Sequence, residues 1–269
     1  MKYAIKDGNL MLEEQAVIPI TNKSHFFGYS VYESIKVLKG RILFVSEHLE
    51  RLFNSAKLLN IISPLNKKEI KDAMQLLVQE NKINNALLRI QLLGGDEVTK
   101  PQLFIFSVGL TFYPSKYYTK GVKVITYQGE RFIPLVKSNC LLLNYLAYTK
   151  ASKENALDAL LINKGGEVLE GTRTNFFAIK NGILITSNQE VLQGVTRKHI
   201  LEIAKTKRIP ISFEKIKLKD VLKGKYDELF ITNTSMGAMP ITHIDNILVK
   251  KKFSFTKIFN DELKKLREI

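Results

Sequence analysis

Apolar runs and polar, turn-forming segments succeed one another along this chain, and their lengths predict a mixture of strands and helices. The opening reads as a hairpin around Asp7-Gly8, a common turn dipeptide. Val31 to Leu38, mostly apolar and β-branched, is a strand, and Lys39-Gly40 turns it into a second over Ile42 to Val45. Ser46 is placed to cap a helix with Glu47 in its first turn. Leu49, Leu52, Phe53, Ala56 and Leu59 then share one helical face. Asn66 caps a second helix, about Lys68 to Glu80, and strands over Ala86 to Leu93 and Gln102 to Phe112 follow. These elements predict a small α+β domain over 1–113. The polar, aromatic and turn-rich segment 114–121 reads as an interdomain linker.

A larger domain, 122–269, opens with a strand at Val122 to Thr126 and a helix at about Leu142 to Asn155. Short strands recur at Ala159 to Ile162, Val168 to Glu170, Asn175 to Ile179 and Ile183 to Ile185, with turns at Lys164-Gly165-Gly166 and Asn181-Gly182. A helix starts at Thr196, and Ile211 to Ile216 is a strand. Glu228 to Thr232 and Met239 to Ile244 are extended, and an amphipathic, lysine-rich helix at about Phe255 to Glu268 ends the pattern. No internal repeat, Gly-x-Gly-x-x-Gly or Walker loop occurs, which argues against a dinucleotide or nucleoside triphosphate site.

With 269 residues the chain is long enough for two cores, and 45% apolar residues is ordinary for a globular protein. No apolar run is long enough to cross a membrane, and the first residues lack a signal-peptide core. Cys140 is the only cysteine, so no intramolecular disulfide forms. These features predict a cytoplasmic protein. The formal charge of +15 raises nucleic acid or a membrane surface as partners. The lysines are scattered, however, arginine appears only eight times, and aromatics are not interleaved with the basic residues. A lysine-rich surface, with neither nucleic acid nor membrane as partner, is the better reading.

Three features carry chemistry. Lys137 stands in an apolar run, Pro-Leu-Val-Lys137-Ser-Asn-Cys-Leu-Leu-Leu. Such a setting disfavours the ammonium form, and a neutral amine is what adds to an aldehyde. The bland alternative is a surface lysine with a snorkelling head. Glu170 ends a strand before Gly171. A buried carboxylate facing a pyridine nitrogen keeps it protonated; the alternative is an exposed strand-end glutamate. Gly194-Val195-Thr196-Arg197 opens a helix, whose N–H groups and dipole suit a phosphate. Its alternative is an ordinary capped helix. Thr232-Asn-Thr234-Ser235 is a second hydroxyl-rich turn. Together these parts point to pyridoxal 5'-phosphate as cofactor, with no metal.

The order of these motifs resembles the fold type IV pyridoxal-phosphate enzymes: branched-chain aminotransferases, D-amino-acid aminotransferases and aminodeoxychorismate lyases. The matching segments are Gly28-Tyr-Ser-Val-Tyr-Glu-Ser-Ile, Glu47-His-Leu-Glu-Arg51-Leu, Lys137-Ser, Glu170-Gly-Thr-Arg-Thr-Asn175-Phe-Phe, Leu192-Gln-Gly-Val-Thr-Arg197 and Thr232-Asn-Thr234 with Met239-Pro240-Ile241. The resemblance implies a two-domain α+β fold like that of D-amino-acid aminotransferase. It assigns Lys137 as the catalytic, cofactor-bearing lysine and Glu170 as the partner of the pyridine nitrogen. Arg51, Val195, Thr196, Thr234 and Ser235 would hold the phosphate. Tyr32, with Glu33 beside it, and Arg89 would face the substrate. It further implies amino-acid and 2-oxo-acid substrates and a homodimer.

The chain departs from the family pattern in four respects. Cys140 and Leu141 replace an asparagine, Leu142 replaces the tyrosine of branched-chain enzymes, Gly94 stands where D-amino-acid enzymes have an arginine, and Gln193 replaces a proline. The expected activity is a branched-chain-like amino-acid aminotransferase. An aminodeoxychorismate lyase, a D-amino-acid aminotransferase and a non-catalytic basic binding protein are the alternatives.

Overall fold

A computed structural model describes residues 2–95, 100–249 and 252–268. The chain divides into two compact units. The first comprises Met1–Thr111 and Val136–Cys140, and the second Phe112–Leu135 and Leu141–Ile269.

The first unit is a sheet covered by two helices. Its elements are β1 (Tyr3–Lys6), β2 (Asn9–Leu12), a 3₁₀ turn (Glu13–Gln15), α1 (Lys23–Phe26), β3 (Ser30–Leu38), β4 (Arg41–Ile42), α2 (Val45–Leu58), α3 (Lys67–Glu80), β5 (Asn85–Leu93) and β6 (Gln102–Val108). The sheet order is β2-β1-β6-β5-β3-β4, and all the pairings are antiparallel. From Val31 onward burial alternates along β3, as expected for a strand with one packed face. Val31, Ile35 and Val37, with Leu88 and Ile90 of β5, pack on Leu49, Leu52, Met74 and Leu77 of the helices. Each large side chain so buried contributes about 1.5–3 kcal/mol. The opposite face, carrying Tyr32, Ser34, Arg89 and Gln91, stays half-buried.

The helix caps differ in kind. Asn66 caps α3 in a full capping box with Glu69. Ser46 does not cap α2 as expected; the cap position is Phe44, in a left-handed conformation with φ 55°, and β4 ends at Ile42.

The second unit contains α4 (Ser115–Lys120), β7 (Val122–Gln128), α5 (Leu142–Lys153), β8 (Ala159–Ile162), β9 (Glu167–Gly171), β10 (Asn175–Lys180), β11 (Ile183–Thr186), α6 (Val195–Thr206), β12 (Ile211–Phe213), β13 (Ile216–Lys217), α7 (Leu218–Leu222), β14 (Glu228–Asn233), β15 (Gly237–Ile244), β16 (Ile247–Leu248) and α8 (Ser254–Glu268). Strands β10, β14, β15, β7, β8 and β9 pair in that order, and β9 returns to β10 through the pair Glu170–Asn175. The sheet thus closes into a barrel-like ring. Val124, Leu160, Phe176, Ile231 and Met239 form one core. Phe177, Ile179 and Phe230 face the other way, against α6 and α8. Both faces of these strands are covered, which is why they read as continuous apolar runs rather than as alternation.

Four features differ from the sequence expectation. The expected linker 114–121 is mostly helix α4, grouped with the second unit. The strand predicted to reach Phe112 stops at Val108, and Ile211 to Ile216 splits into β12 and β13. Lys137, expected in the C-terminal domain, groups with the first unit. Backbone bonds explain this: Tyr32 N donates to Lys137 O at 2.9 Å, Asn139 N donates to Ser30 O at 3.1 Å, and Val31 bridges Ser138.

Candidate active site

In the first unit, β3 places consecutive residues on opposite faces. Tyr32 goes to the half-open face, and Glu33 goes to the buried face against α2. Glu33 therefore does not stand beside Tyr32 as expected. Its carboxylate accepts from Arg51 Nε and Nη2 at 2.7 Å each, and lies 2.7 Å from His48 Nδ1. His48 and Arg51 are three residues apart on α2 and so share its inner side. Burial raises the Glu33 pKa, but Arg51 and His48 more than offset it and hold the carboxyl well below the usual carboxylate range. Burial dominates at His48 and lowers its pKa, so the imidazole is neutral at pH 7. The Arg51 fork is thus oriented by an ionised glutamate in a bidentate pair.

On the half-open face, Arg89 lies on β5 opposite Ser34 and donates through Nη1 to the Ser34 hydroxyl at 2.9 Å. Its guanidinium carbon is 5.1 Å from the Tyr32 ring centre, and Lys137 Nζ is 4.5 Å from the same centre. Tyr32, Arg89 and Lys137 therefore form one cluster around an aromatic ring. The apolar run that singled out Lys137 is not a buried setting. Leu135, Cys140 and Leu142 are exposed, Lys137 itself is half-buried, and Val136 is buried. What fixes Lys137 is its backbone, whose N–H donates to Ser55 Oγ at 3.2 Å.

Gly94, at the place of the D-type arginine, is closely packed. A Cβ there would lie 2.2 Å from the Tyr29 ring, whose hydroxyl is anchored on Leu59 O at 2.7 Å. No larger residue fits without moving that ring.

In the second unit, Glu170 is buried on β9. Its Oε2 accepts from Leu192 N at 3.1 Å and from Asn175 Nδ2 at 3.4 Å, and its Oε1 lies 3.3 Å from Arg131 Nη1. Leu192 leads into Gly194, the N-cap of α6. Gly194 offers no side-chain cap, and the first turn of α6 holds no acidic residue. Val195 and Thr196 are buried there. Arg197 does not cap this turn. Its guanidinium donates to Gln193 Oε1 at 2.6 Å, Ser187 O at 3.0 Å and Asn188 Oδ1 at 3.1 Å, bracing the 187–193 loop.

Thr234 and Ser235 lie in the turn between β14 and β15. The Ser235 and Met236 N–H groups donate to Asn233 Oδ1 at 3.0 and 2.9 Å. The buried Thr232 hydroxyl, opposite Asn175 in the ladder, has no hydrogen-bond partner among the described residues. His48, Arg131 and Ser55 were not singled out from the sequence. The i, i+3 spacing of His48 and Arg51 was the one local signal available.

A profile of the class IV amino-transferase family matches residues 30–244. A D-alanine aminotransferase of Listeria monocytogenes is 30% identical over 262 residues, covering 93% of this chain and 89% of that protein. A putative branched-chain-amino-acid aminotransferase of Methanocaldococcus jannaschii is 30% identical over 278 residues, covering 97% and 95%. The crystal structure of the Escherichia coli branched-chain amino acid aminotransferase superposes with a TM-score of 0.90 at 20% identity, covering 98% of this chain and 94% of that one. The fold is therefore the fold type IV architecture. The chain belongs to the class IV aminotransferases, pyridoxal-phosphate-dependent enzymes that pass an amino group from an amino acid to a 2-oxo acid.

Proposed function

We propose that this enzyme is a branched-chain-like amino-acid aminotransferase in which Lys137 is the catalytic residue. The observation that carries this reading is the cluster of Lys137 Nζ and Arg89 around the Tyr32 ring. Arg89 supplies one fixed cation for a substrate carboxylate. The Tyr32 ring, and Phe106 opposite Arg89 in the ladder, supply apolar surface for an aliphatic side chain. The packing at Gly94 leaves no room for a second, D-type arginine.

The residues fit pyridoxal phosphate on three counts. Helix α6 is twelve residues long, and its first turn has neither a side-chain cap nor an acidic residue. Glu170 is a buried carboxylate bonded by amide donors as well as by Arg131. Thr232 adds a buried, unpartnered hydroxyl on the adjoining strand. When bound, the cofactor supplies an electron-withdrawing ring that lowers the barrier to removing the substrate α-proton. Lys137 Nζ would hold the cofactor and move the proton at the substrate α-carbon. Glu170 would pair with the ring nitrogen. Val195 and Thr196 would hold the phosphate at the α6 N-terminus, with Arg51, Thr234 and Ser235 as further phosphate partners. Arg89 orients the substrate carboxylate, and Tyr32 walls the pocket. The donor leaves as a 2-oxo acid before the acceptor enters, in a ping-pong sequence.

A homodimer is part of the proposal. Helix α5 exposes Leu142, Tyr145 and Leu146, and the preceding loop exposes Phe132 and Leu135. The setting is the cytoplasm, consistent with a single cysteine, Cys140. Among the described residues no helix is long and apolar enough to cross a membrane.

The test is a panel of L-leucine, D-alanine and aminodeoxychorismate. Glutamate formed from L-leucine and 2-oxoglutarate, and loss of the visible band in Lys137→Ala, are the expected results. Turnover of D-alanine but not L-leucine would establish the D-amino-acid reading, for which the Listeria relative stands at the same 30% identity as the archaeal branched-chain one. Pyruvate released from aminodeoxychorismate without transamination would overturn the proposal in favour of a lyase.

A further inference from the structure

Asn175 touches both halves of the second-unit constellation. Its Nδ2 donates to Leu192 O at 2.7 Å and lies 3.4 Å from Glu170 Oε2, the oxygen that also accepts from Leu192 N at 3.1 Å. Its Oδ1 faces Gly194, where an added Cβ would stand 2.1 Å away. Asn175 and Glu170 are also the register pair that joins β10 to β9. One buried amide therefore meets the carboxylate, the backbone entering the α6 turn and the N-cap glycine itself.

The far side of the same turn is fixed as well. Arg197 reaches back from α6 to Gln193, Ser187 and Asn188. A turn braced on one side and bonded to Asn175 on the other has little freedom to shift alone. Movement of Glu170 is passed through Asn175 to Leu192 and Gly194, and movement of the α6 N-terminus is passed back. The amide is suited to this because it donates to both acceptors, whereas an unmet donor in a buried site is costly.

We propose that Asn175 is a positioning residue that couples the subsite for the ring nitrogen at Glu170 to the subsite for the phosphate at the α6 N-terminus, so that filling either tightens the other. This inference rests on the roles proposed above for Glu170, Val195 and Thr196. Coupling of this kind is reciprocal: phosphate improves ring binding by the same factor as the ring improves phosphate binding.

The test splits the cofactor into two probes, pyridoxal and inorganic phosphate, added to the full-length chain stripped of cofactor. Pyridoxal affinity is read from the visible absorbance, with and without saturating phosphate. In the unaltered protein phosphate tightens pyridoxal about tenfold, a typical coupling. In Asn175→Ala the ratio falls to about one, while circular dichroism stays unchanged. Gly194→Ala, which pushes a methyl group against Asn175 Oδ1, gives the same loss and serves if Asn175→Ala does not fold. A merely structural asparagine would lower the melting temperature and leave the ratio alone. A ratio of one in the unaltered protein, or an undiminished ratio in the variants, overturns the coupling. Glu170→Gln and Thr196→Val separate this from the site itself. If each weakens its own probe while Asn175→Ala keeps the ratio, only the coupling fails. If neither weakens its probe, the proposed site fails and the coupling with it.

Discussion

Glu33 in the first unit and Glu170 in the second are both buried carboxylates on central strands, yet their partners differ in kind. Glu33 takes two guanidinium bonds at 2.7 Å from Arg51 and a third contact at 2.7 Å from His48. Its charge is answered within the fold. Glu170 lies 3.3 Å from an Arg131 nitrogen and accepts from amide donors at 3.1 and 3.4 Å. A carboxylate with close, charged, bidentate partners is committed to structure. The longer and partly neutral contacts at Glu170 suit the role proposed for it, a carboxylate that also meets a ligand. The difference separates a residue that orients Arg51 from one proposed to meet the ring nitrogen.

The largest effect should come from breaking the first of these. Glu33→Gln removes the bidentate carboxylate from the partly buried Arg51 guanidinium and should cost about 3–5 kcal/mol of stability, read by urea denaturation. Arg51 would also lose its orientation, so cofactor affinity should fall. If stability drops by less than about 1 kcal/mol, the committed role of Glu33 is wrong. Glu170→Gln should do the reverse. It should lower kcat by about 10²–10³-fold, the scale for removing one charge-aimed partner at a reacting group, with little change in melting temperature. A variant that melts early but turns over normally would erase the contrast.

Acid sharpens the comparison next. Glu33 has a folded pKa below its unfolded value, so its contribution is complete above about pH 5 and is lost as pH falls toward the folded value. His48 is also depressed, so the unfolded chain takes up its proton first and stability declines below about pH 6.5. Stability should therefore hold from pH 8 to about 6.5 and fall from there to pH 4, and the acid slope should shrink in Glu33→Gln. The smallest effect is a control. Asn66→Ala removes the α3 capping box and should cost about 1 kcal/mol without altering pyridoxal phosphate uptake.

Much of this was legible in the sequence for physical reasons. The β-branched run before Lys39-Gly40 is β3, and Asn66 caps α3 as read, because local propensity and tertiary packing agree there. Glu170 lies on a strand, and Gly194 and Thr196 lie at a helix start, as the motif order predicts. Other readings failed where burial and sequence pattern part company. The leucines around Lys137 promised a dry pocket, but Leu135 and Leu142 are exposed. Glu33 looked like a neighbour of Tyr32, yet strand alternation sends the two apart. Segment 114–121 had the composition of a linker but folds as α4, with Tyr117 and Tyr118 packed against a core. The link from Asn175 to Gly194 joins residues far apart in the chain, so no local pattern carries it.

The ring in the second unit has a consequence for how this protein is made. Strand β7 pairs parallel with β15, matching Val122 to Ile241. A growing chain that has just released β7 from the ribosome must wait for every element from α5 to β15 before that seam can form. Pairings between residues so distant are slow to close, and chains of this length fold by way of partly assembled species. Glu170 and Asn175 can meet early, because a short turn joins them, but the ring they belong to stays open until β15 has been made. The last stave of the barrel, and with it a closed ring around Glu170 and Asn175, arrives only with β15.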